Sequence, residues 1–238
     1  MNPSKHRVVG IIGGMGPEAT VDLMRRVVAK TPACDDADHI HLIIESNPKI
    51  PSRIAHLIDG TGPDPTPELI RIAANLQRAG ADALAMPCNT AHAYADSIRS
   101  AVSIPLLDMV SLTVEHIVRT GGAARVGILA STAVHSTALF SKGLSAHGIE
   151  VIRPARQDDV MALIKRVKRG DTGLQAQVAL GRIALDLAVQ ADLLLIACSE
   201  LSVIAAGVTV PFVDSLEILA QAIVDFATTK AEIDNGNP

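Results

Sequence analysis

A pair of matching segments constrains this chain more than any other feature of it. Residues 81–88 read ADALAMPC and residues 191–198 read ADLLLIAC. At one constant offset Ala81 matches Ala191, Asp82 matches Asp192, Leu84 matches Leu194 and Cys88 matches Cys198. Two further echoes bracket this one in the same order. VGII at 9–12 resembles VGIL at 126–129, and IPLLD at 104–108 resembles VPFVD at 210–214. A single match of this length between apolar strands arises easily by chance. Three in the same order argue for two similar halves.

The residues around the echoes set the fold class. Short β-branched runs at 7–12, 41–45, 83–86, 104–107, 126–130, 149–152, 193–197 and 210–213 read as strands. Most are apolar on both faces, as parallel strands covered by helices are. Helical spacing fills 66–78, 160–168 and 174–189 between them. The expectation is an α/β protein with two pseudo-symmetric Rossmann-like domains and mostly parallel sheets, facing each other across a cleft. The expected division is 1–107 plus 214–238, carrying Cys88, and 108–213, carrying Cys198.

In open α/β sheets ligands bind beyond the carboxyl ends of the strands. Each cysteine stands at such an end and opens the following helix. Two facing halves would set two thiols on opposite walls of one cleft. A racemase needs that pairing: one group removes the α-proton from one face and the other returns a proton to the opposite face. A free thiol ionises near 8.5, and a helix N-terminus together with the donors of Asn89, Thr90 and Ser199 is expected to lower that value. General acid–base catalysis favours a pKa close to the working pH. Cys34 lies in a polar stretch with no equivalent partner and is given no role.

Composition closes off other classes. The chain is 48% hydrophobic and 19% charged, enough for a sizeable core. A formal net charge of −4 and an aromatic content of 2% leave neither a basic stripe nor stacking platforms for nucleic acid. The apolar run Val8–Ile12 is too short for a signal peptide and is followed by Gly13, Gly14 and Gly16. No apolar stretch approaches the roughly 20 residues of a membrane span. The expected setting is cytoplasmic, with no membrane partner. Three cysteines, an odd number, argue against a disulfide framework.

Two cofactor readings are weaker. Gly14, Gly16 and Ala19 loosely match a dinucleotide fingerprint, but Glu18 in the first helical turn would repel a pyrophosphate. The glycines are read instead as permitting a tight turn. Cys88 and His92 have helical i, i+4 spacing, but no second ligand pair accompanies them, so no metal is expected. His92 is read as a cap or a site-lining residue. A small-molecule binder on the same two-domain scaffold is the non-enzymatic alternative, and it would not need two acid/base groups.

The segments GIIGGMGPEAT at 10–20, MPCNTAH at 86–92 and ACSEL at 197–201 resemble the aspartate/glutamate racemase family. The resemblance spans nearly the whole chain. It implies two pseudo-symmetric α/β domains, catalysis without pyridoxal phosphate or any other cofactor, an amino-acid substrate and a homodimer. It maps the acid/base pair onto Cys88 and Cys198. It implies substrate contacts from Met15 in the glycine-rich loop, from Asn89 and Thr90 at the α-carboxylate, and from Ser131 and Ser199, which stand where threonine is usual. Glu200 matches the family's acidic residue. Arg53 and Lys168 resemble the cations that hold a side-chain carboxylate. Ser202 departs from the pattern, standing where many relatives have proline. The implied activity is interconversion of L- and D-aspartate, with glutamate as a second substrate. Racemisation of another amino acid or of a hydantoin, or decarboxylation of an arylmalonate, is the alternative on the same scaffold.

Overall fold

The computed structural model describes residues 6–229. The elements run β1 (Val9–Gly13), α1 (Pro17–Lys30), β2 (Leu42–Ser46), α2 (Arg53–Leu57), α3 (Thr66–Arg78), β3 (Ala83–Ala85), α4 (Ala95–Ala101), β4 (Leu106–Leu107) and α5 (Met109–Thr120). They continue with β5 (Arg125–Leu129), α6 (Thr132–Ser136), α7 (Ser141–Ser145), β6 (Glu150–Ile152), α8 (Gln157–Val167), α9 (Leu174–Ala188), β7 (Leu193–Ile196), α10 (Ser199–Val203), β8 (Phe212–Asp214) and α11 (Ser215–Thr228).

The strands form two four-stranded sheets, β2-β1-β3-β4 and β6-β5-β7-β8, and every pairing is parallel. The strand orders are the same in the two halves, so the echoes in the sequence mark equivalent positions. Their side chains do equivalent work. Asp82 accepts the Val8 amide at 2.7 Å, and Asp192 accepts the Arg125 amide at 2.8 Å. Each aspartate thereby ties the start of its half's first strand to the start of the third. Downstream, Asp108 accepts the amides of Val110 and Ser111, and Asp214 accepts the amide of Leu216. Both echoed aspartates are therefore N-caps, each worth about 1 kcal/mol to its helix.

Each sheet is covered on both faces, which is why its strands carry apolar residues at successive positions. Ile12, Leu69, Ile72, Leu84 and Ile98 form the core under α3 and α4. Val9, Ile11, Leu23, Met109, Leu216, Leu219 and Ile223 form the core on the opposite face, under α1 and α11. In the second half Leu129, Leu163, Leu180, Leu194 and Ile196 pack beneath α8 and α9. Val114, Ile117, Ile128, Phe140, Leu144 and Leu195 fill the other side. The final helix α11 leaves the second sheet at Asp214 and packs against α1 of the first half and against α5. Residues 1–5 and 230–238 of the expected first domain lie outside the described residues. Among the described residues, no helix is long and apolar enough to cross a membrane.

Strand and helix limits depart from expectation where proline and polar residues intervene. The run at 104–107 pairs only at Leu106–Leu107, because Pro105 contributes its carbonyl to Leu84 and has no amide to give. The run at 210–213 behaves the same way at Pro211, whose carbonyl accepts Leu194. Helix α8 begins at Gln157, ahead of the apolar periodicity, with Asp158 and Asp159 in its first turn. Acidic side chains there favour the positive end of the helix dipole.

Candidate active site

The site lies at the carboxyl ends of β1, β3, β5 and β7. Cys88 follows β3 and precedes the 3₁₀ turn Thr90–Tyr94, and Cys198 is the N-cap residue of α10. Both are free cysteines, 6% and 7% exposed. Both line one small cavity, together with Met15, Arg53, Thr90, Ser131, Lys168 and Glu200. Ser52, Ile54 and Ile164 complete its wall. The cavity volume is about 30 Å³, room for one or two water molecules. A second, wider cavity of about 250 Å³ is lined by Gly14 to Ala19, Pro48 and Val167. It shares Met15, Arg53, Lys168 and Glu200 with the first, so the two spaces adjoin along these four side chains.

The glycine-rich loop places Met15. Gly14 has φ +92°, and an added Cβ would fall 2.4 Å from the backbone of Asn47. Glycine is therefore needed there for conformation and for space. Thr20 accepts the Gly14 amide at 2.9 Å and donates to the Gly16 carbonyl at 3.1 Å, closing the loop onto the start of α1. This is the tight turn read from the sequence.

Arg53 opens α2, whose N-cap Ser52 accepts the Ala55 amide. The guanidinium donates to the carbonyls of Ile50 and Pro51 at 3.3 and 2.9 Å, and its Nε is buried without a partner. His56, on the same helix, is hydrogen-bonded to the Tyr94 hydroxyl at 2.7 Å. That contact fastens the arginine-bearing helix to the turn that follows Cys88. Burial pushes the Tyr94 phenol up to about 12, so it stays protonated. Across the cleft Thr90 and Ser131 share a hydrogen bond of 3.1 Å. Ser131 also caps α6.

The electrostatics around Cys198 differ from expectation. Its Sγ donates to Glu200 Oε2 at 3.1 Å. Burial first, then the Glu200 charge and this hydrogen bond, push the thiol well above its ordinary range, against a smaller pull from Lys168 and the Leu201 amide. The lowering expected from a helix N-terminus is thus overturned at Cys198: α10 has only five residues, and burial, followed by the adjacent carboxylate, outweighs it. Lys168 Nζ stands 3.7 Å from Glu200 Oε1, an oxygen that is buried and has no hydrogen-bond partner.

Of the residues singled out in the sequence, Cys88, Cys198, Met15, Arg53, Thr90, Ser131, Lys168 and Glu200 are brought to the cavity wall. Asn89 and Ser199 are not on that wall; each is 2% exposed beside its cysteine. Both amide atoms of Asn89 are buried without a hydrogen-bond partner. His92 does not line the cavity either. The sequence reading missed Ser52, Ile54 and Ile164. Ser52 carries an N-cap signature, whereas the two isoleucines sit in ordinary apolar patterns with nothing to mark them. Among the described residues, no cluster of three or more His, Cys, Asp or Glu side chains suits a metal ion.

The family model for Asp/Glu/hydantoin racemases matches residues 12–223. The chain belongs to this family. It is 29% identical over 224 residues to the broad-specificity amino-acid racemase RacX of Bacillus subtilis, with 91% of this chain and 96% of that protein covered. Its fold superposes on the Picrophilus torridus aspartate racemase with a TM-score of 0.86 and 31% identity, covering 93% of this chain and 94% of the other. A structure described as a putative Asp/Glu racemase from Yersinia pestis matches with a TM-score of 0.72 and 25% identity, over 93% and 99% of the two chains. The protein is thus a racemase, an isomerase, of the two-domain α/β type.

Proposed function

We propose that the protein interconverts L- and D-aspartate, with glutamate as a second substrate, by moving the α-proton between Cys88 and Cys198. The observation that carries this reading is the meeting of both thiols and two cations, Arg53 and Lys168, on the wall of one small cavity. Two thiols serve two faces of a carbon; two cations suit a second carboxylate.

In this mechanism the side-chain carboxylate binds Arg53 and Lys168. The α-carboxylate is held by Thr90 and Ser131, with Asn89 and Ser199 buried behind the wall beside the two cysteines. One cysteine, as thiolate, removes the α-proton and becomes a thiol. The other, as thiol, gives its proton to the opposite face and becomes a thiolate. The two sulfurs exchange protonation states in each turnover, and the opposite hand of substrate runs the cycle backwards. Cys198, held to Glu200, is the proton-bearing partner at rest. A wall with so little free space fixes the reacting groups, so positioning and fixed donors supply much of the barrier reduction. Met15, with its flexible thioether, adapts the boundary between the two spaces to the side chain it meets.

A second reading, inversion of a wider range of amino acids, is favoured by the similarity to a broad-specificity racemase. The wider adjoining cavity offers room for longer side chains.

The test is incubation of purified protein, free of pyridoxal phosphate, with L-aspartate and separately with D-aspartate in deuterated water. Chiral chromatography follows inversion and mass spectrometry follows deuterium at Cα. The expected result is inversion from both hands with deuterium in the product, abolished in Cys88→Ala and in Cys198→Ala. Inversion that survives either substitution overturns the two-thiol mechanism. Inversion of other amino acids in preference to aspartate selects the second reading.

A further inference from the structure

Behind each thiol lies a buried side chain that touches no part of the cavity. His92 and Ser202 stand four residues after Cys88 and Cys198, at equivalent positions of the two halves. His92 Nδ1 is 2.9 Å from the Cys88 carbonyl, and its Nε2 accepts the Met109 amide at 3.1 Å. A carbonyl only accepts, so Nδ1 carries the proton and the ring is the neutral Nδ1–H tautomer. Burial lowers its pKa and keeps it neutral. Met109 is the first residue of α5, capped by Asp108.

Ser202 repeats the arrangement with different atoms. Its amide donates to the Cys198 carbonyl at 3.1 Å, and its Oγ lies 3.4 Å from the same oxygen. The hydroxyl proton goes to Asp214 Oδ1 at 2.6 Å, and Asp214 caps α11. Arg26 of α1 grips this arm from the other half, donating to Asp214 Oδ2 at 2.7 Å and to the Ser202 carbonyl at 3.1 Å. Each cysteine backbone is therefore strapped to the N-terminus of a helix, and α5 and α11 pack on each other. The two straps thus end on helices that pack on each other.

We propose that His92 and Ser202 are the positioning residues of the two thiols, His92 aligning Cys88 and Ser202 aligning Cys198, each independently of the other. The proposal rests on the two-thiol reading above. The second strap runs through the Ser202 hydroxyl, which donates to the cap of α11.

The equilibrium constant of a racemisation is one, so kcat/KM stays equal for the two hands whichever thiol is disturbed. A partial reaction separates them. From 3-chloroaspartate a single thiolate takes the α-proton, the Cα–Cβ double bond forms, and the Cβ–Cl bond breaks to release chloride; each hand uses one thiol only. His92→Phe is expected to slow chloride release from the hand served by Cys88 about tenfold, as a sub-ångström misalignment does, and to leave the other hand nearly unchanged. Ser202→Ala is expected to do the reverse, with Ser202→Thr restoring the rate. Equal slowing of both hands, or none in variants whose melting temperature is preserved, overturns the proposal. Should His92→Phe fail to fold, the Ser202 pair carries the test alone.

A wild-type protein that inverts nothing and releases no chloride fails the racemase reading, not this one. The rate of iodoacetamide alkylation, resolved by mass spectrometry at Cys88 and Cys198, then decides. A change confined to the strapped cysteine supports the proposal, and a change at both or neither overturns it.

Discussion

The Cys198 thiol donates to the Glu200 carboxylate at 3.1 Å, and that carboxylate faces Lys168 at 3.7 Å on its other oxygen. Burial and the Glu200 charge together hold the proton on sulfur. Because the folded pKa lies above the unfolded value of about 8.5, the folded chain binds more protons at alkaline pH. The stability contributed by this group is complete below about 8.5 and is lost as pH rises toward the folded value. Glu200→Gln removes the charge and should shift the alkylation of Cys198 by iodoacetamide to lower pH. An unshifted profile would mean that burial alone retains the proton.

Arg53 has an unpartnered Nε beside the cavity, and among the described residues the Lys168 ammonium pairs with Glu200 at 3.7 Å. A hydrogen bond to a charged group contributes about 1.5–3 kcal/mol. Arg53→Met should therefore raise KM for aspartate about 10- to 100-fold, while any turnover of alanine, which has no second carboxylate, keeps its KM. Steady-state kinetics on both substrates checks this. A parallel rise for alanine would place Arg53 at the α-carboxylate.

His135, on α6, is depressed to about 4 by burial and, secondarily, by Arg153. A histidine in an unfolded chain titrates near 6.5. Its stabilising effect is thus present above about 6.5 and lost as pH falls through about 4, a change on the order of 3 kcal/mol. Urea unfolding between these limits should show the decline in the wild type and a flatter profile in His135→Gln.

The Arg26 side chain is 11% exposed and bridges Asp22, Asp214 and Glu217. Removing it leaves Asp214, whose side chain is 5% exposed, as a buried charge without its counter-ion. Arg26→Met should cost about 3–5 kcal/mol in chemical denaturation. The double variant Arg26→Met with Asp214→Asn should recover part of that loss.

The architecture was legible because its signals are repeated. Asp82 and Asp192 perform the same backbone clamp in each half, so the sequence could show the duplication before any contact was known. The cysteines, Met15, Arg53, Thr90, Ser131, Lys168 and Glu200 were legible as motif positions. The sign of the Cys198 shift was not, since it depends on where a carboxylate two residues along turns its oxygens. Arg26 and Asp214 are far apart in the chain, and nothing local marks their pairing. Ile54 and Ile164 look like any core residue until the cleft closes around them. His92 reads as a ligand or a cap from spacing alone; only its two hydrogen bonds show that both ring nitrogens are already engaged.

Met15, Arg53, Lys168 and Glu200 stand where a chamber of about 30 Å³ meets a space of about 250 Å³. A chamber that holds one or two waters is a poor reservoir of fresh protons. In a two-thiol cycle the hydrogen taken from one face stays on its sulfur until the wall parts, and the hydrogen given to the other face was stored there when the wall last parted. Such a cycle would make the site a two-slot memory. If it is moved quickly from light to heavy water, the first product molecules should still carry the isotope of the solvent left behind.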